Sequence, residues 1–270
     1  MSNKKIRVSL LQIEGRETPI LNASLIKKSL IKAYKFNPDI ICLPECANIM
    51  TANKSHLVKH ATLQKDCPVL EECIQFAKKY NKFVSVGSLL LKKNNSSKLL
   101  NRSFFINHSG KIMAYYDKIH LFDVNINRKE VHRESKSFHK GNKVAIVTSP
   151  WGKIGLTICY DIRFPNLYRN LVKQGVKIIL VPAAFTVPTG KDHWEILLRA
   201  RAIENTTYIV ATGQCGNHHG SRKTYGHSLV VDPWGKLLIQ GKSRSAIFHT
   251  TLDLNKIEEV RDKLPSIYHD

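Results

Sequence analysis

The chain is punctuated by short apolar runs, too brief for buried helices, that are separated by amphipathic stretches of helical length. Ile40-Ile41-Cys42-Leu43 stops at Pro44-Glu45, and Lys177 to Val181 follows a helix-like segment after Pro165. Length and flanking breakers select strands for the first kind of segment and helices for the second. The pattern predicts strands at Ile6 to Ile13, Ile40 to Leu43, Phe83 to Leu91, Ser103 to Asn107 and Ile112 to Tyr116. Between them lie a helix near Leu21 to Tyr34 and a second, opened by Pro68, over Val69 to Tyr80. After a polar loop, strands recur at Val144 to Thr148, Ile154 to Ile158, Lys177 to Val181, Tyr208 to Thr212, Ser228 to Val231, Leu237 to Ile239 and Ala246 to Leu252. Helices are expected after Pro165, from Asp192 to about Glu204, and in a short last turn entered at Asp253-Leu254-Asn255. This alternation implies an α/β layered protein, with any shared site at the carboxyl ends of strands.

No repeat, linker or low-complexity block divides the 270 residues, so one domain is expected. The formal charge of +21, from 42 Lys plus Arg against 21 Asp plus Glu, raises a polyanionic partner as a possibility. The basic residues, however, come as scattered pairs such as Lys4-Lys5, Lys78-Lys79 and Lys92-Lys93, with no long run and no basic tail. A solvated face accounts for them, and specific nucleic-acid binding is not expected; it stays the reading from a different class, resting on charge alone. The six cysteines form no Cys-x-x-Cys pair and read as thiols in a reducing compartment. The start has no secretory h-region, and Ile178 to Val187, interrupted by Pro182, is about half of a membrane span. A cytoplasmic protein with no membrane partner is expected.

Three strand ends carry chemistry. Glu45 ends Ile-Ile-Cys-Leu-Pro-Glu, Lys118 follows Ile-Met-Ala-Tyr-Tyr-Asp, and Cys159 ends Ile-Gly-Leu-Thr-Ile-Cys. Taken singly, a strand-end Glu or Lys is most often solvated and a Cys in an apolar run most often an inert hydrophobe. Together the three are complementary. A nucleophilic thiol needs a base or a nearby cation, and its attack on a carbonyl creates an oxyanion that a fixed donor stabilises. Other chemistries lack their signatures: there is no Gly-x-Gly-x-x-Gly, no Walker loop and no Gly-x-Ser-x-Gly. Cys42-x3-Cys46 and His218-His219 do not have the spacing of a structural zinc site, so no metal is expected.

The same segments carry a family resemblance. Leu43-Pro44-Glu45, Tyr116-Asp117-Lys118-Ile119-His120-Leu121, Glu134-Ser135 and Gly155 to Pro165 around Cys159-Tyr160-Asp161 resemble the nitrilase superfamily of carbon-nitrogen hydrolases. His193-Trp194-Glu195, Arg199 to Asn205, Tyr225-Gly226-His227-Ser228 and Asp232-Pro233-Trp234-Gly235 continue the match in order, from about Ile6 to Pro265. The resemblance implies a four-layer αββα sandwich with no metal or organic cofactor, assembled as a homodimer or higher homo-oligomer. Residues 1–270 would form one such domain, with 254–270 as a C-terminal extension packing at a subunit interface. By resemblance, Glu45 takes the thiol proton and later activates water, and Cys159 forms a thioester with a small-molecule amide and expels ammonia. Lys118 and the Tyr160 backbone N–H hold the oxyanion, while Glu134 positions substrate and Lys118. Two carboxylates beside Lys118 would keep it charged, and that charge would favour the Cys159 thiolate. Arg163, Phe185, Thr186, His193 and Arg222 are the expected substrate contacts, with Lys191 and His219 as further anion candidates. Arg199 and Arg201 are read as structural.

Gly213-Gln214-Cys215-Gly216 and the residues after it resemble the branch that hydrolyses deaminated glutathione, with omega-amidases acting on 2-oxoglutaramate closely similar. An N-carbamoyl hydrolase is the remaining reading within the superfamily. Val124 to Glu130 lacks a Pro-Gly common there, and His139-Lys140-Gly141 stands where a Pro-Gly is frequent, so these loops leave the acyl preference open.

Overall fold

The computed structural model describes residues 4–126 and 131–269. Two sheets lie face to face. The first has seven strands, running from Ala246–Asp253 through Lys5–Gln12, Ile40–Cys42, Phe83–Ser85 and Leu99–Ile106 to Leu89–Lys92, with Ile112–Asp117 pairing on Leu99–Ile106. The second has six, in the order Leu237–Gln240, Leu229–Val231, Tyr208–Gly213, Val176–Ala183, Gly152–Leu156, Ala145–Ser149. Each sheet has three central parallel strands flanked by antiparallel ones.

Alternation along the strands decides which layer each side chain joins. Ile6, Val8 and Leu10 turn into the core shared with Ile154, Leu156, Ile178 and Leu180 of the other sheet. Leu11, Ile41 and Val84 face the opposite way, onto Ile26, Leu30 and Ala33 of helix Pro19–Tyr34 and Leu70, Cys73 and Phe76 of helix Pro68–Tyr80. On the far side, Leu171 of helix Pro165–Lys173 and Leu198 and Ala202 of helix Glu195–Asn205 cover the second sheet. The result is a four-layer αββα sandwich. Burying strands on both faces explains why they read as continuous apolar runs. The last helix, Asn255–Lys263, adds Ile257 to the same core, and Ile267 follows it inward.

Structure departs from the sequence reading in three places. The single strand expected over Phe83 to Leu91 is two, Phe83–Ser85 and Leu89–Lys92, because Gly87 takes a positive φ of 67°. A Cβ there would collide with the carbonyls of Leu43 and Pro44. The loops contain elements too short for periodicity to reveal: helix Lys54–His60, the hairpin Asp123–Asn125/Val131–Arg133 and the hairpin Cys215–His218/Arg222–Tyr225. The helix expected from Asp192 begins as a π-turn over Gly190–Trp194 before regular turns take over at Glu195. Of the loop 124–130, residues 127–130 lie outside the described residues.

Candidate active site

Strand direction brings the three chemical residues to one end of the sandwich. Glu45 lies just beyond Ile40–Cys42 in the first sheet, and Lys118 directly follows Ile112–Asp117, a strand that runs the same way. Cys159 comes from the second sheet, three residues past Gly152–Leu156. All three are almost completely enclosed, at 3%, 2% and 8% exposure, so their charges are meaningful only with their partners.

Lys118 supplies the central charge. Its Nζ donates to Glu45 Oε1 at 3.0 Å and to Glu134 Oε2 at 2.9 Å. Asn101 Nδ2 reaches the same two carboxylates, at 3.0 Å from Glu45 Oε1 and 3.2 Å from Glu134 Oε1. Backbone N–H groups complete the cradle: Ala184 donates to Glu45 Oε2 at 2.8 Å and Phe122 to Glu134 Oε2 at 2.6 Å. Burial alone would raise the Glu45 pKa, but the charge and hydrogen bond of Lys118, then the Arg222 charge, hold it below the usual carboxylate value. Burial likewise disfavours the Lys118 ammonium, yet Glu134 and Glu45 lift its pKa well above normal, as expected from the sequence.

The thiol departs from expectation. Lys118 does pull the Cys159 pKa down, but burial and the facing Glu45 carboxylate outweigh it and hold the pKa well above the ordinary thiol value. The opposed shifts favour a neutral thiol facing an ionised Glu45 over a preformed thiolate. That arrangement pairs an acid with a base.

Cys159 has a φ of 48°, a left-handed conformation that costs a non-glycine residue roughly 1–3 kcal/mol. It opens a tight 3-10 turn, Cys159–Arg163, and Asp161 anchors that turn. The fully buried Asp161 carboxylate accepts from Ile158 N at 2.8 Å, Tyr116 Oη at 2.8 Å, and His120 through both N at 3.1 Å and Nδ1 at 2.7 Å. The Cys159 turn and the segment around Lys118 are thus fastened to one carboxylate.

Above the charged floor opens a cavity of about 850 Å³. Glu45, Lys118, Glu134, Cys159 and Tyr160 line it, as do three of the five expected substrate contacts, Phe185, Thr186 and Arg222. The other two, Arg163 and His193, are not in its wall; they approach each other at 3.3 Å, with the Arg163 guanidinium 5.6 Å from the Phe185 ring centroid. Lys191 and His219 are also outside the lining, and His219 Nδ1 instead pairs with Thr51 Oγ1 at 2.8 Å. His218 bonds the Gly15 carbonyl and Thr224 Oγ1. Arg199 and Arg201 serve the structure, through the Gly235 and Ile162 carbonyls respectively.

Sequence reading missed Asn101, whose one signal was a polar residue inside an apolar strand. It also missed the wall formed by Thr51 to Lys54, Phe122 and Phe138, which stand in segments without periodicity.

A family model described as carbon-nitrogen hydrolase matches residues 7–262. A deaminated glutathione amidase from Yersinia enterocolitica is 36% identical over 98% of this chain and 93% of its own length. Among solved structures, the Caenorhabditis elegans NitFhit protein superposes over the whole chain with a TM-score of 0.93 at 34% identity, this chain spanning 66% of that one. Saccharomyces cerevisiae Nit3, described as a member of branch 10 of the nitrilase superfamily, superposes with a TM-score of 0.87 at 29% identity, over 97% of this chain and 94% of its own.

Proposed function

Because the chain belongs to the carbon-nitrogen hydrolase family, we propose that it hydrolyses the amide of deaminated glutathione through a thioester on Cys159. The observation that carries the chemistry is the enclosed Cys159–Glu45–Lys118 cluster, with the thiol facing an ionised carboxylate and the ammonium between two carboxylates. The substrate assignment draws on the relatives: proteins named deaminated glutathione amidase match nearly the whole chain in Yersinia enterocolitica, and a human protein of that name is 34% identical over 97% of it.

In the first half-reaction Glu45 accepts the Cys159 proton as sulfur attacks the amide carbon. Lys118 and the Tyr160 N–H hold the oxyanion, and one such fixed donor is worth roughly 3–4 kcal/mol. The C–N bond then breaks, the nitrogen leaves with the proton from Glu45, and the acyl group remains as a thioester. In the second, Glu45 takes a proton from water, hydroxide adds to the thioester, and the acid departs as the thiol is restored. Ammonia is the leaving group when the substrate is a primary amide such as 2-oxoglutaramate. In deaminated glutathione the amide nitrogen belongs to cysteinylglycine, so that dipeptide leaves instead, and the ammonia expected from the sequence applies to primary amides alone.

The acyl carboxylate is read as docking on Arg222, which lines the cavity and acts electrostatically on Glu45. The protein is read as a homo-oligomer in the cytoplasm, with exposed Leu264 and Tyr268 of the 254–270 segment at an interface. No helix among the described residues is long and apolar enough to cross a membrane. The test is product formation from deaminated glutathione, 2-oxoglutaramate and a carbamoyl amino acid at matched concentrations. Deaminated glutathione is expected to be turned over fastest; if it is the poorest of the three, the substrate assignment fails.

A further inference from the structure

The cavity holds more cationic charge than its acids can balance. Its lining contains two carboxylates, Glu45 and Glu134, and both are engaged by Lys118 at the floor. Arg222 sits half-buried within electrostatic reach of Glu45, whereas Lys54 and Lys223 stand exposed at the mouth. Neither lysine forms an ion pair among the described residues. Arg133, the other mouth cation, differs: it donates to the carbonyls of Val124 and His132 and to Asn125 Oδ1, which closes the hairpin that carries it.

The segments bearing Lys54 and Lys223 are built against each other. Ala52 N donates to the His219 carbonyl at 3.0 Å, and Thr51 Oγ1 bonds His219 Nδ1 at 2.8 Å. At the hairpin turn, Gly220 approaches so closely that a Cβ would lie 3.1 Å from Asn53 N. Two lysines without an ion-pair partner that line one cavity leave their charge open to an anion. A five-carbon oxo acid bound at the floor would not fill about 850 Å³, a volume toward the upper end of ligand pockets at roughly 300–1,000 Å³.

We propose that Lys54 and Lys223 form a second anion subsite at the mouth, which binds a carboxylate on the leaving-group side of an extended amide. This rests on the amidase reading above and divides the cavity into an inner acyl pocket at Arg222 and an outer leaving-group pocket at the two lysines. It makes a terminal carboxylate on the amine portion a determinant of specificity.

The experiment compares deaminated glutathione with the same compound bearing a C-terminal carboxamide in place of the glycyl carboxylate. Both substrates are assayed on one preparation, so any loss of folded enzyme cancels in their ratio. The wild-type protein is expected to prefer the free acid by roughly tenfold in kcat/KM, carried mainly by KM, since two exposed ion pairs are each worth a few-fold. In the double variant Lys54→Gln/Lys223→Gln that preference is expected to fall to about twofold or less. A wild-type ratio near one, or a ratio unchanged in the variant, overturns the subsite while leaving the amidase reading intact. Failure of the wild type to hydrolyse either compound overturns the deaminated glutathione assignment on which the subsite depends.

Discussion

The backbone N–H of Ala184 donates to Glu45 Oε2 at 2.8 Å, so a carboxylate at the end of one sheet is held by the end of a strand in the other. Glu45 is therefore positioned by contact between layers, and the Cys159 thiol facing it arrives from the opposite sheet. Site geometry and sheet packing are coupled in this protein.

Cys159→Ala is expected to lower turnover by at least about 10³-fold, as removal of a covalent nucleophile does in other thiol and hydroxyl enzymes. Circular dichroism should be unchanged, since a small buried side chain is replaced by a smaller one. Retained activity in this variant would remove Cys159 from the mechanism.

The pH profile follows from opposed shifts. Glu45 must be ionised to accept the thiol proton, and its pKa lies below the ordinary 4.5, so the acid limb of kcat/KM should have its midpoint below that value. The Cys159 pKa is raised above 9.0, so thiol ionisation should produce no alkaline limb below about pH 9. Stability obeys the same signs. A depressed carboxylate stabilises the fold above its unfolded pKa and ceases to do so as pH falls through its folded one. The raised Lys118 contributes below 10.5 and is lost as pH rises through its folded value. An acid limb centred near neutrality would contradict this assignment of the base.

Lys118→Met should destabilise the fold by about 3–5 kcal/mol at pH 7, because the buried Glu45 and the half-buried Glu134 would be left without their cation. Denaturant titration should show the deficit shrinking toward pH 5. With its ammonium partner gone, burial raises Glu45 in the folded state, and a folded carboxylate that binds protons more tightly gains stability as pH falls. A deficit independent of pH would mean that the two carboxylates are not held by this lysine.

Tyr116→Phe removes the hydroxyl that donates to Asp161 at 2.8 Å and accepts from Ile119 N at 3.2 Å. Loss of a hydrogen bond to a charged acceptor is expected to cost about 1.5–3 kcal/mol, read from the shift in urea midpoint. Since that carboxylate also fastens the Cys159 turn and His120, kcat should fall further than KM rises.

Gly141→Ala tests how tightly Lys118 is placed. A Cβ at Gly141 would collide with the Asp117 carbonyl, while Gly141 N bonds the Lys118 carbonyl at 2.8 Å. A displacement of about 1 Å at the lysine is expected to cost about 10²-fold in kcat, with substrate binding less affected. Steady-state kinetics matching the parent protein would show that the strand end yields without moving the ammonium.

Much was legible in the chain alone. Apolar runs such as Ile40 to Leu43 are continuous because both faces of their strands are buried, and Pro68 and Pro165 each mark a helix start where a missing N–H is harmless. These local patterns determined the alternation of strand and helix, and residue type marked Glu45, Lys118 and Cys159 as complementary. What tertiary structure decided is their company. Asn101, 56 residues from Glu45 in sequence, and Ala184, 139 residues away, become its neighbours through strand pairing and sheet stacking. The Cys159 thiol stays protonated because burial and a facing carboxylate outweigh the lysine, a balance set by distance and desolvation. Arg163 and His193 pair with each other outside the cavity lining, while Lys54 and Lys223 both line it, because loop docking lies beyond any local periodicity. A sequence states which groups are present; electrostatic energies depend on separation and solvent exclusion, which exist only once the layers are packed.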